Sequence, residues 1–392
     1  MRAALISMAG QPRGPAGAPL ALAGKTLSRR QLDFALAAGC ESVIALGDGA
    51  SAEAFALRHA AEAGGARFQA VRDSHALLGA VRADDELLAL APGLLPEAPA
   101  VLEALGKGRV VLVLPAGAGV AAGFERIDLD RAWAGALVVG GAQVERLAEL
   151  PPDIEPASAL VRIALQAHVK ERRAPEDALA DGSWAMLADE PAAAAAEQAW
   201  LLRHLPPARP WAVSKALAAL ATWPFAARLL AAGRSAVTLA TAAAAVLAGA
   251  VVAAGYGPAP LGFALVALGA VLVQAALGVE RLLRAPFAGL TRRMSQAAAL
   301  PWLLDAALVA CAFLAIDGEW LQRLFPPLVL LGALHALARA NGPDWTALPL
   351  DRGVLAAFFA VAAGFGLAGP ATMLAALALI ALNVAQTRAL RG

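Results

Sequence analysis

From Ser235 to Gly278 the chain runs for 44 residues without one charged side chain. A bilayer-spanning helix needs about 20 apolar residues, so this run has room for two. Gly257-Pro258-Ala259-Pro260 near its middle reads as the turn between them. A third span is expected from about Ser295 to Ile316, with Asp305 its only charge, and a fourth from about Leu324 to Ala338, containing His335. Gly353 to Thr387 is again uncharged and breaks at Gly364 to Pro370, which predicts spans five and six. The whole chain is 59% hydrophobic and 16% charged, against about half and about a quarter in soluble domains. That balance excludes a disordered chain, a basic nucleic-acid-binding protein and a purely soluble enzyme. The competing reading, two very hydrophobic soluble helical hairpins, leaves the length of the uncharged runs unexplained.

Basic residues orient the spans. Arg209, Lys215, Arg228 and Arg234 precede the first. Arg281, Arg284, Arg292 and Arg293 follow the second, Arg339 and Arg352 follow the fourth, and Arg388 and Arg391 lie in the tail. The opposite loops hold no charge or only Asp317, Glu319 and Arg323. Six spans with both termini cytoplasmic satisfy this asymmetry. Met1 to Gly10 is too short for a cleavable signal peptide, so the N-terminal half is expected to stay on the cytoplasmic side. Abundant Ala, Gly and Arg suggest a bacterial protein, hence the bacterial inner membrane. Cys40 and Cys311 lie far apart and predict no disulfide framework.

Up to about Arg234 the charges recur every few residues and the pattern changes. Arg2–Met8, Ser42–Leu46, Arg67–Val71, Glu86–Ala91 and Arg109–Leu114 are short apolar runs that read as strands. Ser28–Ala38, with Ser28 as N-cap and Gly39 as stop, and Ala52–Ala63 read as helices. Helical stretches near Ser74–Val81 and Ala98–Leu105 separate later strands. Alternating strands and helices predict an α/β domain with a mostly parallel sheet covered on both faces. Such sheets bind ligands beyond the carboxyl ends of their strands. The Gly- and Pro-rich loop Ala9–Pro19 lies there, and it reads either as a phosphate cradle or as an ordinary surface loop. Gly123 to Asp128 is a mixed-charge run, either cleft lining or a surface salt-bridge cluster. Asp181–Asp189 reads as a loop and Glu190–Leu205 as a helix.

Met8-Ala9-Gly10-Gln11-Pro12-Arg13, followed by Pro19-Leu20 and Gly24-Lys25-Thr26-Leu27, resembles the opening of the sugar-phosphate nucleotidyltransferases. Gly10, Arg13, Pro19, Gly24, Lys25 and Leu27 match. The likeness spans roughly the first 115 residues and implies a nucleotide site at Gly10, Arg13 and Lys25. Leu20 stands where the family's catalytic lysine should be, and Leu88-Ala89-Leu90-Ala91-Pro92-Gly93 lacks the family's metal-binding aspartate.

Pro206-Pro207 and Pro210 mark a linker, and Trp211–Leu230 reads as a juxtamembrane amphipathic helix or as the last helix of the soluble domain. The expected organisation is a nucleotidyltransferase-like domain at 1–205, a linker and juxtamembrane helix at 206–234, and an all-α six-helix transmembrane domain at 235–392. This order resembles that of CDP-alcohol phosphotransferases fused to a nucleotidyltransferase domain. That family carries the signature D-x-x-D-G-x-x-A-R, then G-x-x-x-D-x-x-x-D, whose carboxylates hold metal on the CDP diphosphate. Here the region reads Gln274-Ala275-Ala276-Leu277-Gly278-Val279-Glu280-Arg281-Leu282, then Gly289-Leu290-Thr291-Arg292-Arg293-Met294-Ser295-Gln296-Ala297. No register places an aspartate at any of the four positions.

Glu280 and Asp305 are the remaining candidate catalytic acids. Asp305, an acid inside a span, should face a partner or cavity; Arg281, Arg284 and His335 are candidate partners. His335 alone on an apolar helix reads as a packing residue. Arg281, Arg284, Arg292 and Arg293 either set the topology or bind anionic lipid or diphosphate. No metal site and no resident cofactor are expected, with Mg²⁺ entering only if the membrane half is active. The resemblance implies phospholipid head-group synthesis. The departures favour a degenerate homologue acting as a binding or scaffold subunit. The alternative is an active CDP-alcohol phosphotransferase using other acids, and a transporter ranks last. Expected partners are membrane lipids, CTP or a CDP-alcohol, and a second copy or an active partner enzyme, with no nucleic acid.

Overall fold

The structure, a computed structural model, describes residues 1–14, 17–106, 108–204, 211–222, 225, 229–230, 235–287, 297–339 and 343–389. The chain divides into two compact units, residues 1–204 with 284–293, and residues 205–283 with 294–392.

The first unit is α/β. Its elements are β1 (Arg2–Ser7), β2 (Ala21–Leu22), β3 (Lys25–Thr26), α1 (Leu27–Ala37), β4 (Ser42–Leu46), α2 (Ala52–Ala63), β5 (Arg67–Val71), β6 (Glu86–Leu90), β7 (Leu94–Pro96) and α3 (Pro99–Leu105). There follow β8 (Val110–Pro115), α4 (Ala116–Ala121), β9 (Arg131–Gly140), α5 (Gly141–Glu145), α6 (Pro156–Gln166), β10 (Glu171–Arg173), α7 (Glu176–Ala180), β11 (Trp184–Met186) and α8 (Glu190–His204). Seven strands form one sheet in the order β10-β8-β9-β6-β1-β4-β5. β1 pairs in parallel with β4 (Ala3 opposite Ser42) and with β6 (Arg2 opposite Glu86). Because both faces are covered, β1, β6 and β8 are almost wholly buried, which is why they read as unbroken apolar runs.

Four of the six described strand pairings in this sheet are parallel, so the sheet is mostly parallel as expected; one strand was not foreseen, and two other expectations change. β9 inserts antiparallel to both β6 and β8, so the sheet is mixed. Its run Arg-Ala-Trp-Ala-Gly-Ala-Leu-Val-Val-Gly is half Ala and Gly, residues that strands disfavour, and Gly135 within it has φ +79°. Thr26, not Ser28, caps α1, its hydroxyl accepting from the Arg29 N–H at 3.2 Å. The hairpin of β2 and β3 delivers the chain into the helix at that point, and Ser28 is instead buried, donating to Glu53 at 2.7 Å. Asp181–Asp189 is no simple loop: β11 pairs antiparallel with β7, and Trp184 is buried with its ring 5.4 Å from that of Phe34.

The second unit is all-α: α9 (Val213–Thr222), α10 (Ser235–Tyr256), α11 (Ala259–Arg284), α12 (Leu300–Ala315), α13 (Trp320–Arg339), α14 (Ala347–Leu350), α15 (Arg352–Gly364) and α16 (Ala368–Ala389). α10, α11, α13 and α16 are each long and apolar enough to cross a bilayer, and the pair α14–α15, bent by 49°, makes a fifth if read as one span. The chain is therefore a membrane protein. Each predicted span contains a helix, but α12 has 16 residues, about 24 Å at 1.5 Å per residue, short of a hydrocarbon core of about 30 Å. Among the described residues the count by length is thus four or five rather than six. Of the region 206–234, α9 is described, whereas 205–210, 223–224, 226–228 and 231–234 lie outside the described residues.

α10 and α11 turn at Gly257-Pro258, as expected, and pack closely. A Cβ at Gly262 would come within 2.7 Å of the Ala254 Cβ and 3.0 Å of the Ala250 carbonyl; one at Gly269 would come within 2.6 Å of Leu247. Backbone leaves no room to yield at Gly262. Gly262→Val should therefore lower stability by about 1–3 kcal/mol through overpacking. Thermal unfolding of the detergent-solubilised chain checks this, and an unchanged midpoint would mean that the helices are free to part.

Candidate functional site

The loop after β1 lies beyond the carboxyl end of that strand, where such sheets bind ligands. Gly10 donates its N–H to Ser7 Oγ at 3.2 Å, and an added Cβ would meet Pro92 at 3.0 Å, so this glycine is needed for packing against the loop after β6. The Met8 and Ala9 N–H groups both donate to the Leu46 carbonyl, and Gly14 donates to the Ala18 carbonyl. Arg13 Nη1 reaches the Gly17 carbonyl at 2.9 Å, and its backbone bridges to Pro19. Lys25 Nζ lies 2.7 Å from Asp33 Oδ2, with Arg29 on the other oxygen at 3.1 Å. Gly10, Arg13 and Lys25 thus each have their own neighbours within the fold.

Burial pulls the Lys25 ammonium below its ordinary value, against the raising effect of Asp33. Burial works against the Asp33 charge too, but Lys25 and Arg29 more than offset it, and its carboxyl sits below the usual range. A carboxyl depressed on folding adds stability above its unfolded pKa of about 4, which is lost as pH falls through the folded value. Asp33→Asn should therefore flatten the acid limb of a stability–pH curve below about pH 4. Chemical denaturation at a series of pH values checks this, and a superimposable acid limb would remove the linkage.

Two glutamines that the sequence reading passed over lock this region. Gln11 Nε2 donates to Gln31 Oε1 at 2.9 Å, and Gln11 Oε1 accepts from the Gly93 N–H at 2.9 Å. Gln31 Nε2 donates to the carbonyls of Ala91 and Leu94. Gln31 follows Leu27 by four and precedes Phe34 by three, on the buried face of α1, and that spacing was the available signal. Beside Pro92 opens a cavity of about 260 Å³ lined by Glu125, Glu155, Ser158 and Trp133. Ser158 N–H donates to Glu155 at 2.7 Å, and Ser158 Oγ donates to Glu125. Burial, then the nearby Glu125 charge, pushes the Glu155 carboxyl up, its backbone hydrogen bonds pulling the other way. The mixed-charge run divides between its two readings: Glu125 lines this cavity, whereas Asp128 pairs with Arg131.

In the second unit the polar groups gather at one end, where α12 and α15 begin and α13 finishes. Asp305 is buried, with Arg352 Nε on Oδ1 at 3.0 Å and His335 Nε2 3.4 Å from Oδ2. Of the three candidate partners for Asp305, His335 is the one seen here; the guanidinium comes from Arg352, not Arg281 or Arg284. His335 is therefore more than a packing residue. Its Nδ1 lies 3.0 Å from the Leu331 carbonyl, and its ring stacks on Trp302 at 5.6 Å. Asp351 caps α15, accepting from Gly353 and Val354. It also accepts from the Ser214 N–H at 2.7 Å and the Ser214 hydroxyl at 2.5 Å, which fastens α9 to α15. Glu280 is buried and accepts from the Ala297 N–H at 3.3 Å, so the two candidate catalytic acids have separate partners. Arg281 is exposed and Arg284 ends α11, while Arg292 and Arg293 lie outside the described residues. Among the described residues no three His, Cys, Asp or Glu side chains form a metal-ligand group.

At the same end a cavity of about 340 Å³ is lined by Ser214, Lys215, Gln274, Leu304, Asp351 and Arg352, among others. Neither Lys215 nor Gln274 is among the site residues that the sequence predicts.

No protein-family model and no curated protein matches the chain.

Proposed function

We propose that this chain is a bacterial inner-membrane protein with cytoplasmic termini, related to the nucleotidyltransferase/CDP-alcohol phosphotransferase fusions of phospholipid head-group synthesis, and that it binds rather than turns over its ligand. It serves as a binding or scaffold subunit beside an active partner enzyme. One observation carries this reading: Asp305 and Asp351, two acids at the polar end of the helical unit, are committed to the protein. Asp305 is held by Arg352 and faces His335, and Asp351 is held by the α15 N-terminus and Ser214. Metal-assisted transfer from a CDP-alcohol needs several carboxylates free to neutralise a divalent cation. A guanidinium at one of them opposes the cation electrostatically. The resemblance in the first 115 residues supplies the nucleotide-related half of the reading.

The test is CMP release by the purified protein with Mg²⁺ or Mn²⁺ and a panel of CDP-alcohols and acceptors. We expect none above the enzyme-free blank. Release that disappears in Glu280→Gln or Asp305→Asn would replace this reading with an active phosphotransferase built on those acids.

A further inference from the structure

α9 belongs to the helical unit and is fastened to its polar end. Ser214 gives its N–H and its hydroxyl to Asp351, the N-cap of α15. The faces of α9 are unlike one another. Ser214 and Ala218, one turn apart, are buried. At about 100° per residue, Lys215 and Thr222 fall on one flank of that buried face, and Leu217 and Leu220 on the other. Leu217 is 49% exposed and Leu220 is 74% exposed. α9 thus has one side packed on protein, a polar flank and an apolar flank, and the apolar flank lies open.

What covers that flank follows from depth. Asp305, near the start of α12, holds Arg352, the first residue of α15, and faces His335 near the end of α13. Three helix ends and α9 therefore share one level. Trp302, in the first turn of α12, is 68% exposed. Trp345, just before α14, and Trp211, just before α9, are exposed as well. Exposed tryptophans gathered at one end of a set of apolar helices mark the bilayer–water interface. Helix length agrees. α15 has 13 residues, about 20 Å, against a hydrocarbon core of about 30 Å. A helix lying flat across its first turn adds about 10 Å, which is the missing thickness. We infer that α9 lies in the interface of the leaflet at this end, with Leu217 and Leu220 among the acyl chains and Lys215 toward the headgroups. The occupant of the apolar flank is lipid. This favours the juxtamembrane reading of Trp211–Leu230, and it accounts for an α15 that stops short of the full bilayer.

The experiment is spin labelling of the intact chain in vesicles of phosphatidylcholine and phosphatidylglycerol. The label goes in turn on Leu217→Cys, Leu220→Cys and Lys215→Cys. Leu374→Cys, on the exposed face of α16, is the reference for lipid. Glu62→Cys, exposed on α2, is the reference for water. Cys40 and Cys311 are buried, and the unsubstituted chain gives the background. Each label is relaxed either by oxygen, which concentrates among acyl chains, or by a water-soluble nickel chelate. The replaced side chains are exposed, so the fold survives their loss. The oxygen-to-nickel ratio at Leu217→Cys and Leu220→Cys should match that at Leu374→Cys, and the ratio at Lys215→Cys should fall toward that at Glu62→Cys. A ratio at the two leucine positions equal to that at Glu62→Cys would put the flank in water and overturn the proposal. Shielding of both positions from both reagents would overturn it too, because a second protein surface would then be the cover.

Discussion

Asp305→Ala should lower the stability of the detergent-solubilised protein by about 3 kcal/mol. The carboxylate is buried in the first turns of α12 and holds Arg352 at 3.0 Å, with His335 beside it at 3.4 Å. Removing it leaves the Arg352 guanidinium, whose side chain is 22% exposed, without its counter-charge. Water at the exposed part of the guanidinium keeps the cost at the low end of about 3–5 kcal/mol for a broken buried pair. The same change loosens three helices, because the pair ties α12 to the start of α15 and faces the end of α13. The informative control is Asp305→Leu combined with Arg352→Met, which removes both charges and fills the space. That double variant should recover most of the loss. Thermal unfolding midpoints measure both. A single variant as stable as the parent would show that the pair contributes nothing and that Asp305 is free for chemistry.

The second large effect belongs to the α/β unit. Glu97→Ala should cost about 3–5 kcal/mol. Glu97 and Arg30 are both buried and ion-paired. Arg30 also donates to the Leu22 carbonyl, and its guanidinium lies 5.0 Å from the ring centre of Trp200 on α8. The His204 ring stacks on that of Trp200, with centres 4.5 Å apart. Without Glu97, Arg30 is a charge in a dry interior, and its attraction to the Trp200 face cannot replace a carboxylate. Amide exchange of α8 in the full chain should accelerate in Glu97→Ala and return toward the parent rate in Glu97→Leu with Arg30→Met. Unaltered protection of α8 in the single variant would mean that packing alone holds the helix.

Much of the architecture was readable from local pattern. β1, β4 and β5 lie where short apolar runs place them, α2 covers the Ala52–Ala63 stretch expected to be a helix, and the hairpin of α10 and α11 turns at the expected Gly-Pro. The misses share a cause. β9 carries too much Ala and Gly to look like a strand, yet its neighbours β6 and β8 supply ladder hydrogen bonds on both sides. Thr26 displaced Ser28 as a cap because a two-residue hairpin, invisible to periodicity, sets where α1 begins. Trp184 looked like a loop residue because three-residue strands carry almost no period. In the site, Asp305 and His335 stood out as lone polar groups on apolar helices, and membrane energetics alone demanded a partner for the acid. Arg352 did not stand out, since it lies among charges that set topology.

Solvent preference is a sum over neighbouring residues, so the uncharged stretch from Ser235 to Gly278 committed its own residues to apolar surroundings whatever the rest did. The same local sum commits the first half to a buried sheet. Pairing is not a local sum. Asp305 meets Arg352 across 47 positions, and Ser214 meets Asp351 across 137. Which cation satisfies which acid depends on which helix ends the packing brings together. That choice left Lys215 and Gln274 facing an open cavity, and it came from the tertiary structure because only there do α9, α11 and α15 become neighbours.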